Sequence, residues 1–199
     1  MPKIIDDVYF EELAERDPDE VRRRTFCRYN PVERSYLLQV WGNDYAIFPH
    51  ERRTVCLDSH GYHPHPFFHL FIIYYLLRSK TTMPSNEWIS EKDLPGGATF
   101  FRGPHEIPTR MITEQFGNGI ESFHKKCTEL HGVALDMADA AYRFDIVPDI
   151  PVAVLYWGGD NEFQPEAKIM YDRTISAHLT LDIVFALVVE ICSRIGIGG

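Results

Sequence analysis

The chain has 199 residues, 45% of them hydrophobic and 25% charged, the balance of an ordinary globular protein with enough length to bury a core without cross-links. A formal net charge of −9 is the reverse of the basic footprint that marks nucleic-acid binders. An aromatic share of 13% argues against long disorder, so residues 1–199 read as a single domain.

Taken in order, Ile4–Arg16 carries Ile5, Val8, Tyr9 and Leu13 at helical spacing. Asp17-Pro18-Asp19-Glu20 is a strong helix start: a carboxylate for the free N–H groups, proline for the first position, and acids for the positive dipole end. This second helix is predicted to run to about Cys27. Its Arg22-Arg23-Arg24 run, beside Asp17, Asp19 and Glu20, reads as a solvated helix face rather than a phosphate patch. Asn30-Pro31 ends the helix, and the period then changes. Ser35–Trp41, Asp44–Phe48 and Thr54–Leu57 read as short strands, with turns at Gly42-Asn43 and Pro49–Arg52. His60 to Pro66 holds two prolines and cannot be helical throughout. Pro66–Arg78 is predicted to be a helix, too short to span a bilayer.

Ser85–Leu94 is mixed and leads to the turn Leu94-Pro95-Gly96-Gly97. Pro108–Phe116 and Gly119–His131 read as helices ended by Gly117 and Gly132. Ala141–Val147, Val152–Trp157 and Glu166–Tyr171 read as strands, joined by Pro148-Asp149 and the Gly158–Glu162 loop. Thr180 opens the last helix, Leu181–Arg194, whose apolar character almost all round predicts burial; Asp182, Glu190, Ser193 and Arg194 break it too often for a membrane span. The predicted class is α+β: an antiparallel or mixed sheet from two strand groups, about 35–57 and 141–171, flanked by helices, with the apolar C-terminal helix buried. One mixed sheet is the preferred arrangement. The N-terminal MPKIIDDVYFEELAERD lacks the pattern of a signal peptide, and the four cysteines form no C-x-x-C pair. Reduced thiols and a cytoplasmic location are expected, with no nucleic-acid or membrane partner.

Trp88-Ile89-Ser90, Leu94-Pro95-Gly96-Gly97, Phe116-Gly117, Pro148-x-x-Pro151 and Trp157-x-Gly159-Asp160-x-Glu162-Phe163 follow one another in an order that resembles the family catalogued as domain of unknown function number 3786. Asp172 and His178-Leu179 extend the resemblance to the last helix. It implies a domain found mostly in anaerobic bacteria and archaea, some members being fused to an iron–sulfur cysteine module. The cysteines here lack that spacing, so no cluster is carried over. The chain also has Gln164 before Pro165 where the family usually has proline directly after the phenylalanine. The family is uncharacterised, so the resemblance implies a neighbourhood in redox or cofactor metabolism rather than a reaction.

Two places could carry chemistry. In the first, Trp157, Asp160, Glu162 and Phe163 form a candidate ligand-binding or partner-binding loop. Its carboxylates are oxygen donors for a hard cation, but two are too few to specify one, and Gly-Gly-Asp-Asn is also ordinary turn chemistry. Asp172 lies at the far end of the following strand, where it would cap the helical turn Arg173–Ala177. In the second, His60, His63 and His65, with His69 and His50 nearby, are candidate ligands for a divalent transition metal; a surface histidine loop is the plainer reading. Cys127, beside Lys125 and Lys126, is a weak nucleophile candidate, and Trp41, Trp88 and Trp157 are candidates for an aromatic pocket. No nucleophile elbow, P-loop or dinucleotide fingerprint occurs. The function predicted is a non-catalytic binding or interaction domain acting with a protein partner. The alternative is a metal-dependent enzyme using the His60–His69 loop or the Asp160/Glu162 loop.

Overall fold

The computed structural model describes residues 5–58 and 63–197. Helix α1 (Asp7–Glu15) is opened by Asp6, whose carboxylate accepts from the Val8 N–H at 3.1 Å. Helix α2 (Pro18–Thr25) is opened by Asp17, which accepts from the Asp19 N–H at 3.1 Å, as the Asp-Pro-Asp-Glu motif requires. Both helices are tied to α3 (Pro66–Arg78) by charge. Glu12 accepts from both terminal nitrogens of Arg78 at 2.5 Å. Arg24 donates to the carbonyls of Leu76 (3.0 Å) and Ser79 (2.8 Å), groups that the end of α3 leaves without helical partners. Arg22 and Arg23 are exposed, as a solvated face predicts; Arg24 instead serves as a C-terminal clamp.

The strands form two antiparallel sheets rather than the single mixed sheet preferred from sequence. In the first, β1 (Arg28–Asn30), β2 (Ser35–Val40), β3 (Asn43–Phe48) and β4 (Arg53–Cys56) lie in chain order. The β2–β3 turn is Trp41-Gly42, with φ of 46° and 77°, one residue earlier than the sequence suggested. Two successive positive φ values match the strand twist, which is why the pair turns the chain so tightly. In the second sheet, β5 (Trp88–Ile89), β9 (Glu166–Asp172), β8 (Ile150–Trp157), β7 (Ala140–Val147) and β6 (Val133–Ala134) lie side by side in that order. Where the sheets meet, the Trp41 N–H donates to the Ile146 carbonyl at 2.7 Å.

The apolar alternation of the strands decides what faces inward. Tyr36, Leu38 and Ile47 from the first sheet and Phe144, Val152, Val154 and Ile169 from the second join one contiguous core. Helix α8 (Leu181–Gly196) contributes Ile183, Leu187 and Ile191 to it and packs against α3 and α5 (Arg110–Phe116). Thr180 precedes α8 without a side-chain capping bond. Helices α4 (Gly97–Phe100), α6 (Ile120–Glu129) and α7 (Ile175–His178) complete the fold. No described helix is long and apolar enough to cross a membrane.

Candidate functional site

The β8–β9 hairpin holds the first predicted site. Trp157 pairs with Glu166 at the base of the loop, and Val152 pairs with Tyr171 toward its other end. Within the loop, Asp160 Oδ1 accepts from the N–H groups of Glu162 and Phe163, both at 2.8 Å, while the Asp160 N–H donates to the Phe163 carbonyl at 2.9 Å. These bonds make a closed turn of the kind that aspartate forms with its own following backbone. They also hold the Asp160 carboxyl below the usual carboxylate range, because two N–H groups favour its charged form. The turn is braced from outside: the Gly158 N–H donates to Asp139 Oδ2 at 3.0 Å. At Gly159 a Cβ would lie 2.7 Å from the Pro165 ring and 2.8 Å from Asn118 Oδ1, so only glycine fits there.

This bracing projects Phe163 into solvent at 69% exposure, beside exposed Asp160, Glu162 and Glu166. Trp157 is half-buried. It packs with Trp88, Leu135, Met137 and Met170 around a small second cluster, Ala141, Ala153 and Leu155, on the outer face of the five-stranded sheet. The three tryptophans therefore do not line one pocket. Trp41 is in the core, its Nε1–H donating to the Leu130 carbonyl at 3.2 Å and the Arg194 guanidinium 4.5 Å from its ring centre.

Asp172 lies at the opposite end of β9 from Asp160 and Glu162, paired with Trp88 of β5. It is 1% exposed and accepts five hydrogen bonds: from Ser85 N–H and Oγ–H (3.0 Å each), Asn86 N–H (2.7 Å), Thr174 N–H (2.9 Å) and Thr174 Oγ1–H (2.7 Å). Burial pushes its pKa up, but the bonds from Thr174 and Ser85 outweigh that and hold it below the usual value. It caps the turn before α7, as expected, and also pins the 85–86 segment, a role with no local sequence signal. Every short-range donor available to this carboxylate comes from a neighbouring loop, which marks a structural clamp.

His60 lies outside the described residues. His63 is exposed. His65 caps α3: its Nδ1 accepts from the Phe67 N–H at 3.3 Å, and its own backbone N–H donates to Glu190 Oε2 at 2.8 Å. Burial lowers the pKa of His65 and, deeper in, of His69, whose ring lies 6.2 Å from that of Tyr45. His50 is exposed on the short turn Pro49–Glu51. Among the described residues no group of three His, Cys, Asp or Glu side chains is placed to hold a metal ion. Cys127 is fully buried, and that burial pushes its thiol pKa up despite the nearby Lys126 charge, so it is not an activated nucleophile.

Two features escaped the sequence reading. Glu190 is fully buried in the apolar run of α8, where it receives the His65 N–H; a lone carboxylate inside such a run was the available signal. The second is an open cavity of about 360 Å³ beside β9, lined by Glu166–Ile169 on one side and by Glu91, Phe101, Glu106 and Ile107 on the other. It arises where the two-residue β5 stops short of its neighbour, a long-range mismatch that no local pattern records.

A family model described as Domain of unknown function (DUF3786) matches residues 17–194, from the cap of α2 to the last turn of α8. No curated protein and no solved structure matches the chain.

Proposed function

Since the chain belongs to this family of unknown function, we propose, starting from its geometry, that it is a non-catalytic interaction domain that offers the tip of the β8–β9 hairpin to a protein partner. The observation that carries this reading is Phe163. A large aromatic side chain is held 69% exposed at the tip of a turn that three internal hydrogen bonds and a glycine contact make rigid. Rigid aromatic anchors lose little freedom on binding and dominate interface energies. The flanking Asp160, Glu162 and Glu166 carboxylates favour a partner surface with basic side chains, which can both pair with the acids and stack on the ring. Burying the exposed part of Phe163 supplies about 1–2 kcal/mol, a factor of roughly ten in affinity. Asp172, His65 and Glu190 are absorbed in capping and clamping, which fits a binding role better than a catalytic one.

Site-specific photo-crosslinking in the native cell tests the reading. A benzoyl-phenylalanine at position 163 is expected to capture a discrete partner, with the yield cut by charge reversal at Glu162. The control position is Val32, which is 90% exposed and far from the hairpin in sequence. Equal capture from positions 32 and 163, or none from 163, refutes the proposal.

A further inference from the structure

Among the described phenylalanine, tyrosine and tryptophan side chains, Phe26 at 64% and Phe163 at 69% are the two that are more than half exposed. Their surroundings are opposite in charge. Phe163 has Asp160, Glu162 and Glu166 as neighbours, and no lysine or arginine occurs from Trp157 to Ala167. Phe26 stands among arginines. It closes α2 with a φ of 55°, in the left-handed region where a bulky side chain is strained and glycine is not. Its ring gains little burial in return.

Asp19, Arg22, Arg23 and Phe26, spaced i, i+3, i+4 and i+7, share one outward stripe of α2, and all four are exposed. The Arg23 guanidinium has no ion pair among the described residues. Arg22 holds Asp19 at 2.9 Å in an exposed pair that solvent screens, so it remains open to a second carboxylate. Glu20 and Arg24 are paired with each other, and Arg24 is turned toward the end of α3. Along the stripe lies an open hollow of about 440 Å³, lined by Asp19, Arg22, Arg23 and Cys27. Two guanidinium groups there face one carboxylate. The hollow beside β9 has the reverse balance, with Glu91, Glu106 and Glu166 against Lys92 and Lys168.

We propose that the Phe163 hairpin of one copy docks on the Phe26 face of a second copy of this chain, head to tail. The proposal rests on the reading of the hairpin as an interaction tip and names the partner that the tip takes. The Phe163 ring would lie against Phe26 and the Arg23 guanidinium, while Glu162 and Glu166 pair with Arg22 and Arg23. Complementary charge fixes which surface is chosen. The net charge of −9 on each copy acts over a longer range, and salt screens it beyond about 8 Å at physiological ionic strength. Tip and face are different surfaces, so the contact does not close on a two-fold axis. Each pairing leaves one tip and one face free, and growth continues into a ring or an open chain.

Sedimentation equilibrium of the full chain tests this with two variants altered only at exposed side chains. Glu162→Gln with Phe163→Ala removes the tip. Arg23→Gln with Phe26→Gly removes the face, and glycine suits the φ of position 26. The parent should be monomeric at low concentration and associate toward about 100 µM, as a small interface does. Each variant alone should associate at least about tenfold more weakly. An equimolar mixture of the two holds one intact tip and one intact face, so it should form a heterodimer with the parent's affinity and nothing larger. A parent that stays monomeric to about 1 mM overturns the proposal. So does association that survives either variant, or a mixture no more associated than its components. Crosslinking from position 163 separates the two ideas: it should capture the α2 segment of another copy. Capture of a different protein, with the parent monomeric, overturns the self-pairing and leaves the hairpin reading standing; capture of nothing overturns both.

Discussion

Replacing Asp172 by asparagine tests how much of the fold hangs on one carboxylate. The substitution keeps the shape and alters the polarity of one atom. Oδ1 accepts from Ser85 N–H, Ser85 Oγ–H, Thr174 N–H and Thr174 Oγ1–H, and an asparagine oxygen placed there retains these four as neutral bonds. The asparagine NH2 then meets the Asn86 N–H, whose hydrogen bond to Oδ2 is 2.7 Å long, so two donors face each other at a residue 1% exposed. Hydrogen bonds to a charged acceptor contribute about 1.5–3 kcal/mol and neutral ones about 0.5–1.5, and an orphaned buried donor costs about 1–3. A net loss of about 2–3 kcal/mol follows for Asp172→Asn, or roughly 5–10 °C in Tm for a chain of this size. The loss has a pH signature. The folded pKa of Asp172 is depressed, so the unfolded state binds the proton more tightly. Its stabilisation is therefore complete above the unfolded pKa of about 3.9 and is lost as pH falls through the folded value. Urea unfolding of both proteins at neutral pH, near pH 5 and below the unfolded pKa should give the same gap at the first two and a smaller one at the third. A variant within about 0.5 kcal/mol of the parent, or a gap indifferent to pH, refutes the clamp.

Two further outcomes follow from geometry already described. Gly159→Ala should lower stability by about 1–3 kcal/mol in urea unfolding, because its Cβ would sit within 2.9 Å of Pro165 and Asn118 atoms in a braced turn; a neutral result would show that the loop relaxes freely. Glu12→Gln should cost only about 0.5–1 kcal/mol and less in high salt, since its side chain and that of Arg78 are 31% and 38% exposed and solvent screens the pair. The Arg78 hydrogen bonds hold the Glu12 pKa down at about 2, so its contribution is present above the unfolded value and fades as pH falls toward that figure.

What could be read from sequence was local. Asp17-Pro18 marked a helix start through chemistry confined to three residues, and the α3 limits followed from a largely apolar run between Pro66 and Arg78. Strand β1 was missed because Arg28, Tyr29 and Asn30 are too few to show a period; it exists because β2 pairs with it. The split into two sheets was invisible for a similar reason. Each strand group satisfies its own period, and the place where the two sheets meet is long-range, as in the bond from Trp41 to Ile146, 105 residues apart. At the candidate site, the turn chemistry of Gly158 to Asp160 and the separation of Asp172 from it followed from strand parity, while the donors that converge on Asp172 come from 86 residues or more upstream and from the next turn.

The early end of β5 shows how a local rule creates a feature that no local reading finds. Trp88-Ile89-Ser90 has the character of a strand, and in isolation nothing says that the strand should end after two residues. The ending comes from Ser90 and Asp93, whose side-chain bonds turn the chain into the helical turn Glu91–Asp93, so that Glu91, the residue a longer ladder would have set opposite Ile169, leaves the sheet. A capping box is among the most legible of sequence signals. Its consequence, however, falls on residues nearly eighty positions downstream, where Ala167 and Ile169 have no β5 residue paired with them. A substitution that weakens the box, such as Ser90→Val, should let the β5 ladder extend and slow exchange at the Ile169 amide. Unchanged exchange in that variant would mean that something other than the box ends β5.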